Sequence, residues 1–470
     1  MSNYKKTVGI EVHCELKTKT KMFSNTLNNY GAKENSQVNT IDLAYPGSLP
    51  LVNKGAILLA LKAALILNCK INKLVCFDRK NYFYPDLPKG YQITQARFPI
   101  GVDGYVMINV GGEDKKVRIH DIHIEEDTAK SIHQTDKSYL DFNRSGVPLI
   151  EIVTEADMHT EEEAMAYLTK LRELFVYADI SDCKMEEGSM RCDVNVSISK
   201  DDTLGVRTET KNIGSISSVG KAITAESIRQ EEILENGGVI VEETRRFDEK
   251  DCKTILMRVK ETGNDYRYFP EPNIPEFEIT DAEIDSVKLE IPKLPDELRS
   301  EYRNLGVNEN NIKTLISNRE LCSFFEKVKE FDPIITSNLI TGDILSYLNK
   351  NNLSLKDIKL NEDNLKELVI KIKNSEISSK QVKTLLPILM EKGGNVEDIM
   401  KEHGMVQISD DSALQVIVDK VISNNPESVN DYKNGKDRAL KYLMGQIMKE
   451  SRGQANPVTV NKLLIETLNK

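Results

Sequence analysis

The sequence predicts an α+β protein: an antiparallel-sheet cradle domain, then an all-helical domain, then a small helical tail domain. Three observations predict it. Short runs of alternating apolar and polar residues recur through the first part of the chain, as half-buried strands require. Helical periodicity replaces them from about Leu294 onward. A break at Gly404–Asp411, which reads as a hinge, sets off the last helical stretch. The boundaries are drawn at 1–292, 293–405 and 406–470.

At 470 residues, 39% hydrophobic and 29% charged, the chain has room for two or three domains and a large core. No run reaches the roughly 18 apolar residues of a membrane span, so no membrane association is expected. Met1–Lys6 run into the first strand without an apolar leader, and a cytoplasmic location is expected. The seven cysteines contain no Cys-x-x-Cys pair, which speaks against a disulfide framework and a thiolate zinc site. A net charge of −11 speaks against nonspecific nucleic-acid binding. Residues 431–470 nevertheless carry eight Lys/Arg against four Asp/Glu, and a polyanion contact is expected there.

The first strand, Thr7–Leu16, puts Val8, Ile10, Val12, Cys14 and Leu16 on one face and Glu11, His13 and Glu15 on the other. Asn53–Asn68 is largely apolar and reads as a helix. Ile119–Asp127 aligns Asp121, His123, Glu125 and Asp127. In Leu149–Val153 a single carboxylate, Glu151, interrupts an apolar run. A helix over Thr160–Ala178 opens with Thr160 as cap and Glu161, Glu162 and Glu163 in its first turn, where they suit the dipole. After Gly188, Met190–Ile198 alternates strictly: Met190, Cys192, Val194, Val196 and Ile198 face the core, and Arg191, Asp193, Asn195 and Ser197 face away. Val206–Asn212 groups Arg207, Glu209 and Lys211. A third helix, Val219–Asn236, stops at Gly237–Gly238. The helical part shows starts such as Pro295–Glu297 and Asn318–Glu320.

An ordinary solvated sheet face mixes Lys, Thr, Ser and Gln. These faces collect Glu, Asp and His, hard ligands for a divalent cation, which in turn attracts phosphate. The polar sheet face therefore reads as the floor of an active site, with Glu11, His13, His123, Glu125, Asp127 and Glu151 as candidate ligands. Phe77–Ile93 reads as a long loop whose five aromatics call for burial, either a packed Ω-loop or a lid or acceptor platform with Tyr, Arg and Lys to stack on a base or grip a phosphate. Asp141–Pro148, Thr244–Asp248 and Asp265–Glu271 each place Arg where it could grip a phosphate or hold a turn. Gly445–Pro457 reads as a helix end, a Gly453 turn and a new helix, with Lys449 and Arg452 near exposed backbone. Neither a Walker loop nor a dinucleotide fingerprint is present; if ATP binds, it binds without a glycine cradle, through metal and individual side chains. Periodicity reaches metal-assisted chemistry on a sheet face and no further.

Several of these stretches resemble the B-subunit family of the aspartyl/glutamyl-tRNA(Asn/Gln) amidotransferases. They are Gly9–His13, Asp42–Gly47, Phe77–Asp86, His123–Asp127, Pro148–Ile152, Met185–Gly188, Glu243–Phe247 and, in the tail, Gly453–Pro457. The resemblance implies a glutaminase-type A subunit and a small C subunit as partners, misacylated tRNA as substrate, and ATP with Mg²⁺ as cofactors. The side-chain carboxylate of tRNA-bound Glu or Asp would become an acyl phosphate, which ammonia then attacks. Carried onto this chain, the resemblance assigns the metal to His13, Glu125 and Glu151, with Glu11 and Glu209 as further candidates. Glu125, Glu151, Lys184, Arg191 and Lys211 would serve catalysis. Asp193, Asn195, Glu209 and Arg207 would hold the nucleotide. Lys449, Arg452, Gly453 and Asn456 would contact tRNA. Some relatives carry a cysteine-ligated zinc; without paired cysteines, none is expected here. The competing readings are an ATP-dependent carboxylate–amine ligase acting on a free small molecule, a noncatalytic tRNA-binding scaffold and a metal-dependent phosphohydrolase.

Overall fold

The computed structural model describes residues 3–259, 266–374, 376–404, 411–451 and 455–469. They form two compact units, Met1–Leu294 and Pro295–Lys470.

In the first unit the strands are β1 (Lys5–Glu15), β2 (Lys70–Ile71), β3 (Leu74–Val75), β4 (Asp78–Asn81), β5 (Tyr91–Thr94), β6 (Gly101–Val110), β7 (Glu113–Glu126), β8 (Lys130–His133), β9 (Ser138–Asp141), β10 (Pro148–Thr154), β11 (Met190–Ser199), β12 (Thr208–Lys211), β13 (Glu243–Asp248), β14 (Lys253–Val259), β15 (Phe269–Pro270) and β16 (Phe277–Glu278). The helices are α1 (Lys54–Ile66), α2 (Glu161–Tyr177), α3 (Ile216–Glu235) and α4 (Asp281–Glu290). Nine strands form one sheet in the order β14-β13-β12-β11-β1-β10-β7-β6-β2.

Alternation decides which face of this sheet is dry. Val8, Ile10, Val12 and Cys14 of β1, Ile150 and Ile152 of β10, and Met190, Cys192, Val194 and Val196 of β11 are all buried in one core. That core also takes Ala60 and Leu61 of α1, Leu168, Leu171 and Phe175 of α2, and Val219 and Ile223 of α3. The helices thus contribute to the core on the sheet's apolar side, and the carboxylates stand on the other side. The helix starts follow their caps. Asn53 accepts from the Ala56 amide, and Thr160 and Glu163 close a capping box on α2.

Two expectations need correction. The sheet is not wholly antiparallel: β12 and β13 run parallel, from Thr208↔Glu243 to Lys211↔Arg246. Parallel neighbours need a crossover, and α3 supplies it. Residues 77–93 are not one long loop either. β4 and β5 pair as an antiparallel hairpin, from Asp78↔Thr94 to Asn81↔Tyr91, and β15 adds a third strand. Nor are all of its aromatics buried: Phe83 is 90% and Tyr84 68% exposed.

The second unit is helical, from Pro295–Asn304 to Pro457–Leu468. Its helices Asp411–Asn424, Asp437–Glu450 and Pro457–Leu468 share a separate small core of Leu414, Val418, Leu443, Ile447, Val460 and Leu464. The expected hinge at 404–411 falls on 405–410, outside the described residues. Among the described residues no helix is long and apolar enough to cross a membrane.

Candidate active site

Register builds the site. His13 on β1 stands opposite Glu151 on β10 and opposite Arg191 on β11. Glu151 stands opposite His123 on β7. Side chains directly opposite across a ladder are close enough to interact, so four strands deliver one row: His123, Glu151, His13, Arg191. A neighbouring row pairs Glu11 with Asp193, and Asn195 stands opposite Glu209.

The groups converge as the register requires. His13 Nε2 lies 3.6 Å from Glu125 Oε1 and 3.6 Å from Glu151 Oε2. His123 Nε2 lies 3.0 Å from Glu151 Oε2, and its Nδ1 lies 2.7 Å from Asp121 Oδ1. Asn195 Nδ2 donates to Glu11 Oε1 at 2.9 Å. Lys211 bridges Asp193 and Glu209, the latter at 2.7 Å. Arg191 Nη2 donates to Asp127 Oδ2 at 2.6 Å.

Burial and crowding tune the charges. Burial lowers the His13 pKa, but Glu151 and Glu125 outweigh it and raise the imidazole to about 9. Burial opposes His123 too, and its hydrogen bonds to Asp121 and Glu151 lift it to about 10. Glu151 stays well below the usual carboxylate range because His13 and His123 outweigh its burial. Burial raises Glu125, and His13 only partly offsets it. Glu11 is raised by burial and by Glu151. Burial, then Asp127, pushes Glu15 up to about 7.

Two clusters bring ligand atoms within 4.8 Å of one another: His13, Glu125 and Glu151, and Glu11, Asp193 and Glu209. Carboxylate oxygens with one imidazole are a donor set for a hard divalent cation. Here imidazolium and ammonium groups offset that negative charge. A divalent cation supplies the same compensation, and ligands bound to it must shed their protons.

The clusters border a cavity of about 820 Å³ lined by His13, Glu125, Arg191, Asp193 and Lys211 among others. Its remaining wall comes from Lys80 and Tyr82 of the β4–β5 hairpin, Asn212–Gly214 and Arg246–Glu249. The hairpin is tied to the end of β7: Gln92 donates to the Glu126 carbonyl at 2.8 Å, and the Ile93 amide to its carboxylate at 2.9 Å.

Not every candidate reaches the cavity. Lys184 pairs with Glu187 at 2.8 Å and Arg207 with Glu242 at 3.4 Å, and neither lines the wall. Arg207 stands just before β12 and Lys184 lies in the segment between α2 and β11, so alternation does not fix where they point. Arg144 donates to the carbonyls of Thr128 and Ala129 and holds its turn. In Thr244–Asp248 the two arginines divide: Arg245 is buried with Glu243 and Glu226, and Arg246 lines the cavity. In the tail Lys449 is exposed, and Asn456 Oδ1 accepts from the Thr459 amide at the start of the last helix. Arg452 and Gly453 lie outside the described residues. Sequence reasoning offered the Lys of this stretch as a phosphate grip without separating Lys80 from Lys89. The hairpin reads as loop, and alternation over four residues is too short to separate faces.

A sequence model described as the GatB/GatE catalytic domain matches residues 6–285, and one described as the GatB domain matches residues 323–468. The chain belongs to the GatB/GatE family. The first match spans the nine-stranded sheet of this GatB/GatE chain apart from Lys5, and so every residue of the two clusters. Two similar relatives are named as B subunits of aspartyl/glutamyl-tRNA(Asn/Gln) amidotransferase. That of Bacillus thuringiensis subsp. konkukian is 48% identical over 473 residues, and that of Bacillus licheniformis 49% identical over 474 residues. Each alignment covers all of both chains.

Proposed function

We propose that this chain is the B subunit of a tRNA-dependent amidotransferase. It activates the side-chain carboxylate of misacylated Glu-tRNA(Gln) or Asp-tRNA(Asn) with Mg-ATP and converts it with ammonia to the amide. The observation that carries the reading is the end-to-end 48% identity to a relative of that name. The cavity supports it, because its clustered carboxylates, imidazoles and cations suit phosphoryl transfer to a carboxylate.

In this reading His13, Glu125 and Glu151 hold one divalent cation, and Glu11, Asp193 and Glu209 offer a second set. Bound Mg²⁺ would neutralise phosphate charge and orient the oxygens that react. His123 and Asn195 fix the ligand carboxylates of Glu151 and Glu11. Arg191 and Arg246 supply cationic donors to nucleotide phosphates, and Lys211 joins them when metal takes over Asp193 and Glu209.

The reading includes a glutaminase-type A subunit that releases ammonia and a small C subunit. It divides the chain into a catalytic part (1–292), a helical part (293–405) and a tail (406–470) that grips tRNA by shape and phosphate. Lys449, Arg452, Gly453 and Asn456 are the proposed contacts. No zinc enters this scheme.

The test is ADP and amidated-tRNA formation by the assembled complex with Mg²⁺, ATP and glutamine, with and without misacylated tRNA. Both products are expected only with the tRNA. Glu125→Gln is expected to cut both by about 100-fold or more while tRNA binding is kept. ATP turnover indifferent to tRNA sinks the reading. Unimpaired amidation by Glu125→Gln returns the chain to a tRNA-binding scaffold.

A further inference from the structure

Beside the His13 imidazole, four Lys and Arg side chains line the cavity: Lys80, Arg191, Lys211 and Arg246. Three already face a protein carboxylate. Arg191 meets Asp127, Lys211 meets Asp193 and Glu209, and Arg246 Nη1 lies 3.7 Å from Asp248. Lys80 has no carboxylate within 4.0 Å among the described residues. Its Nζ sits 4.9 Å from the centre of the Tyr266 ring. Tyr266 in turn packs edge-on against Tyr82, with ring centres 6.2 Å apart, and against Tyr268 at 5.9 Å.

This placement is built rather than accidental. The Asn81 amide donates to the Tyr266 carbonyl at 3.0 Å, and Asn81 Nδ2 donates to the Arg267 carbonyl at 2.8 Å. The aromatic segment is thereby pinned beside Lys80. Burial lowers the Lys80 pKa, but the fields of Glu125, Tyr268 and Glu151 outweigh it, so the ammonium keeps its proton. An aromatic face holds a cation without neutralising it. Among the described residues Lys80 is thus the Lys or Arg of this wall that no protein carboxylate holds.

We propose that Lys80 contacts the substrate's side-chain carboxylate and the acyl phosphate formed from it. The inference rests on the functional reading above. An anionic substrate carboxylate must approach Glu125 and Glu151, which repel it, and Lys80 offsets that repulsion. A carboxylate oxygen bonds to the γ-phosphorus as the bond to ADP breaks. Ammonia then bonds to the carbonyl carbon, inorganic phosphate leaves with the C–O electron pair, and the nitrogen loses a proton. Lys80 stays an ammonium throughout. It faces first the carboxylate, then the charge on the transferring phosphoryl group, where fixed electrostatics lower the barrier.

The test uses the assembled complex with Lys80→Met and Lys80→Arg. Misacylated-tRNA-dependent ADP formation is measured with glutamine and, separately, with ammonium as nitrogen donor. The acyl phosphate is trapped with hydroxylamine as the tRNA-linked hydroxamate. Lys80→Met is expected to lose about 100-fold or more in ADP formation and in hydroxamate with either donor. Lys80→Arg is expected to recover part of both, with ATP affinity and Tm close to wild type in each variant. ADP formation within about threefold of wild type overturns the proposal, including the case where only glutamine-supported amidation is lost, which would put Lys80 on the ammonia path. A fall in Tm and ATP affinity shared by both variants overturns it in favour of a structural role. A wild-type complex that makes ADP regardless of tRNA overturns the functional reading itself, and this proposal with it.

Discussion

His123 Nε2 lies 3.0 Å from Glu151 Oε2, the same oxygen that faces His13 at 3.6 Å. The other ring nitrogen of His123 is held by Asp121 at 2.7 Å. Asp121, His123 and Glu151 therefore form a fixed chain that ends on a proposed metal ligand. Groups that orient a ligand carboxylate typically matter about 10–100-fold for metal affinity. His123→Ala is expected to weaken Mn²⁺ binding, followed by electron paramagnetic resonance, by about that factor. Asp121→Asn is expected to move it the same way by less. An unchanged Mn²⁺ affinity in His123→Ala would show that Glu151 needs no such support.

How much of this was legible follows from what sets each feature. Strand alternation is local, so the core faces of β1 and β11 and the polar rows with His13 and Asp193 were readable directly, and Glu151 stood out as the one carboxylate in the apolar run of β10. Pairing partners are not local. The parallel step from β12 to β13 depends on where α3 returns the chain, and no single stretch of residues announces it. Alternation groups Arg207 with Glu209 and Lys211, but β12 begins at Thr208, and Lys184 precedes β11 altogether, so local ion pairs decide both directions. Lys80 could not be told from its neighbours because what marks it, no carboxylate partner among the described residues, is a property of the assembled wall. What alternation and spacing could not supply was the reaction; the quoted motifs supplied that through resemblance, and the full-length relatives agree with it.

Glu226 on α3 is fully buried and accepts from Thr208 and Thr254, both at 2.6 Å, and from Arg229. It ties α3 to β12, the strand that carries Glu209 and Lys211, and to β14. Removing one member of a buried charged network leaves its partners uncompensated, at about 3–5 kcal/mol. Glu226→Ala is expected to lose stability on that scale in chemical denaturation and to lower activity with it. Glu226→Gln keeps the shape and one acceptor oxygen and is expected to fall between. A loss under about 1 kcal/mol in Glu226→Ala would mean that Arg245 and Glu243 hold the strands without it.

Gly104 on β6 tests how closely that strand meets the end of α1. A Cβ there would stand 2.4 Å from Cys69 Sγ and 2.7 Å from the Leu67 carbonyl oxygen. The sulfur can shift; the backbone carbonyl cannot without moving the helix end. Overpacking of this kind costs about 1–3 kcal/mol, and Gly104→Ala is expected at the upper end of that range. The double variant Cys69→Ala/Gly104→Ala relieves the sulfur contact alone. It is expected to recover only part of the loss relative to Cys69→Ala. Full recovery would place the strain at the sulfur and leave the carbonyl contact without consequence.

Glu283 gives a pH dependence whose sign is fixed by its partners. Lys54, 2.9 Å away, and then the amide and hydroxyl of Thr280 hold its carboxyl down to about 2. A depressed carboxyl pKa stabilises the fold above the unfolded-state value of 4.5, and that contribution disappears as pH falls toward 2. Thr280 and Glu283 close the capping box of α4, whose Ile284 and Val287 are buried in the same core as α1. Glu283→Gln is therefore expected to melt below wild type at neutral pH, with the gap constant down to about pH 5 and narrowing below it. Added salt is expected to narrow the same gap, because Lys54 is exposed and its attraction is screened. Thr280→Ala removes the cap oxygen and is expected to cost about 1 kcal/mol. A gap that widened on acidification would show that the Gln variant fails through packing of α4 and not through the lost charge.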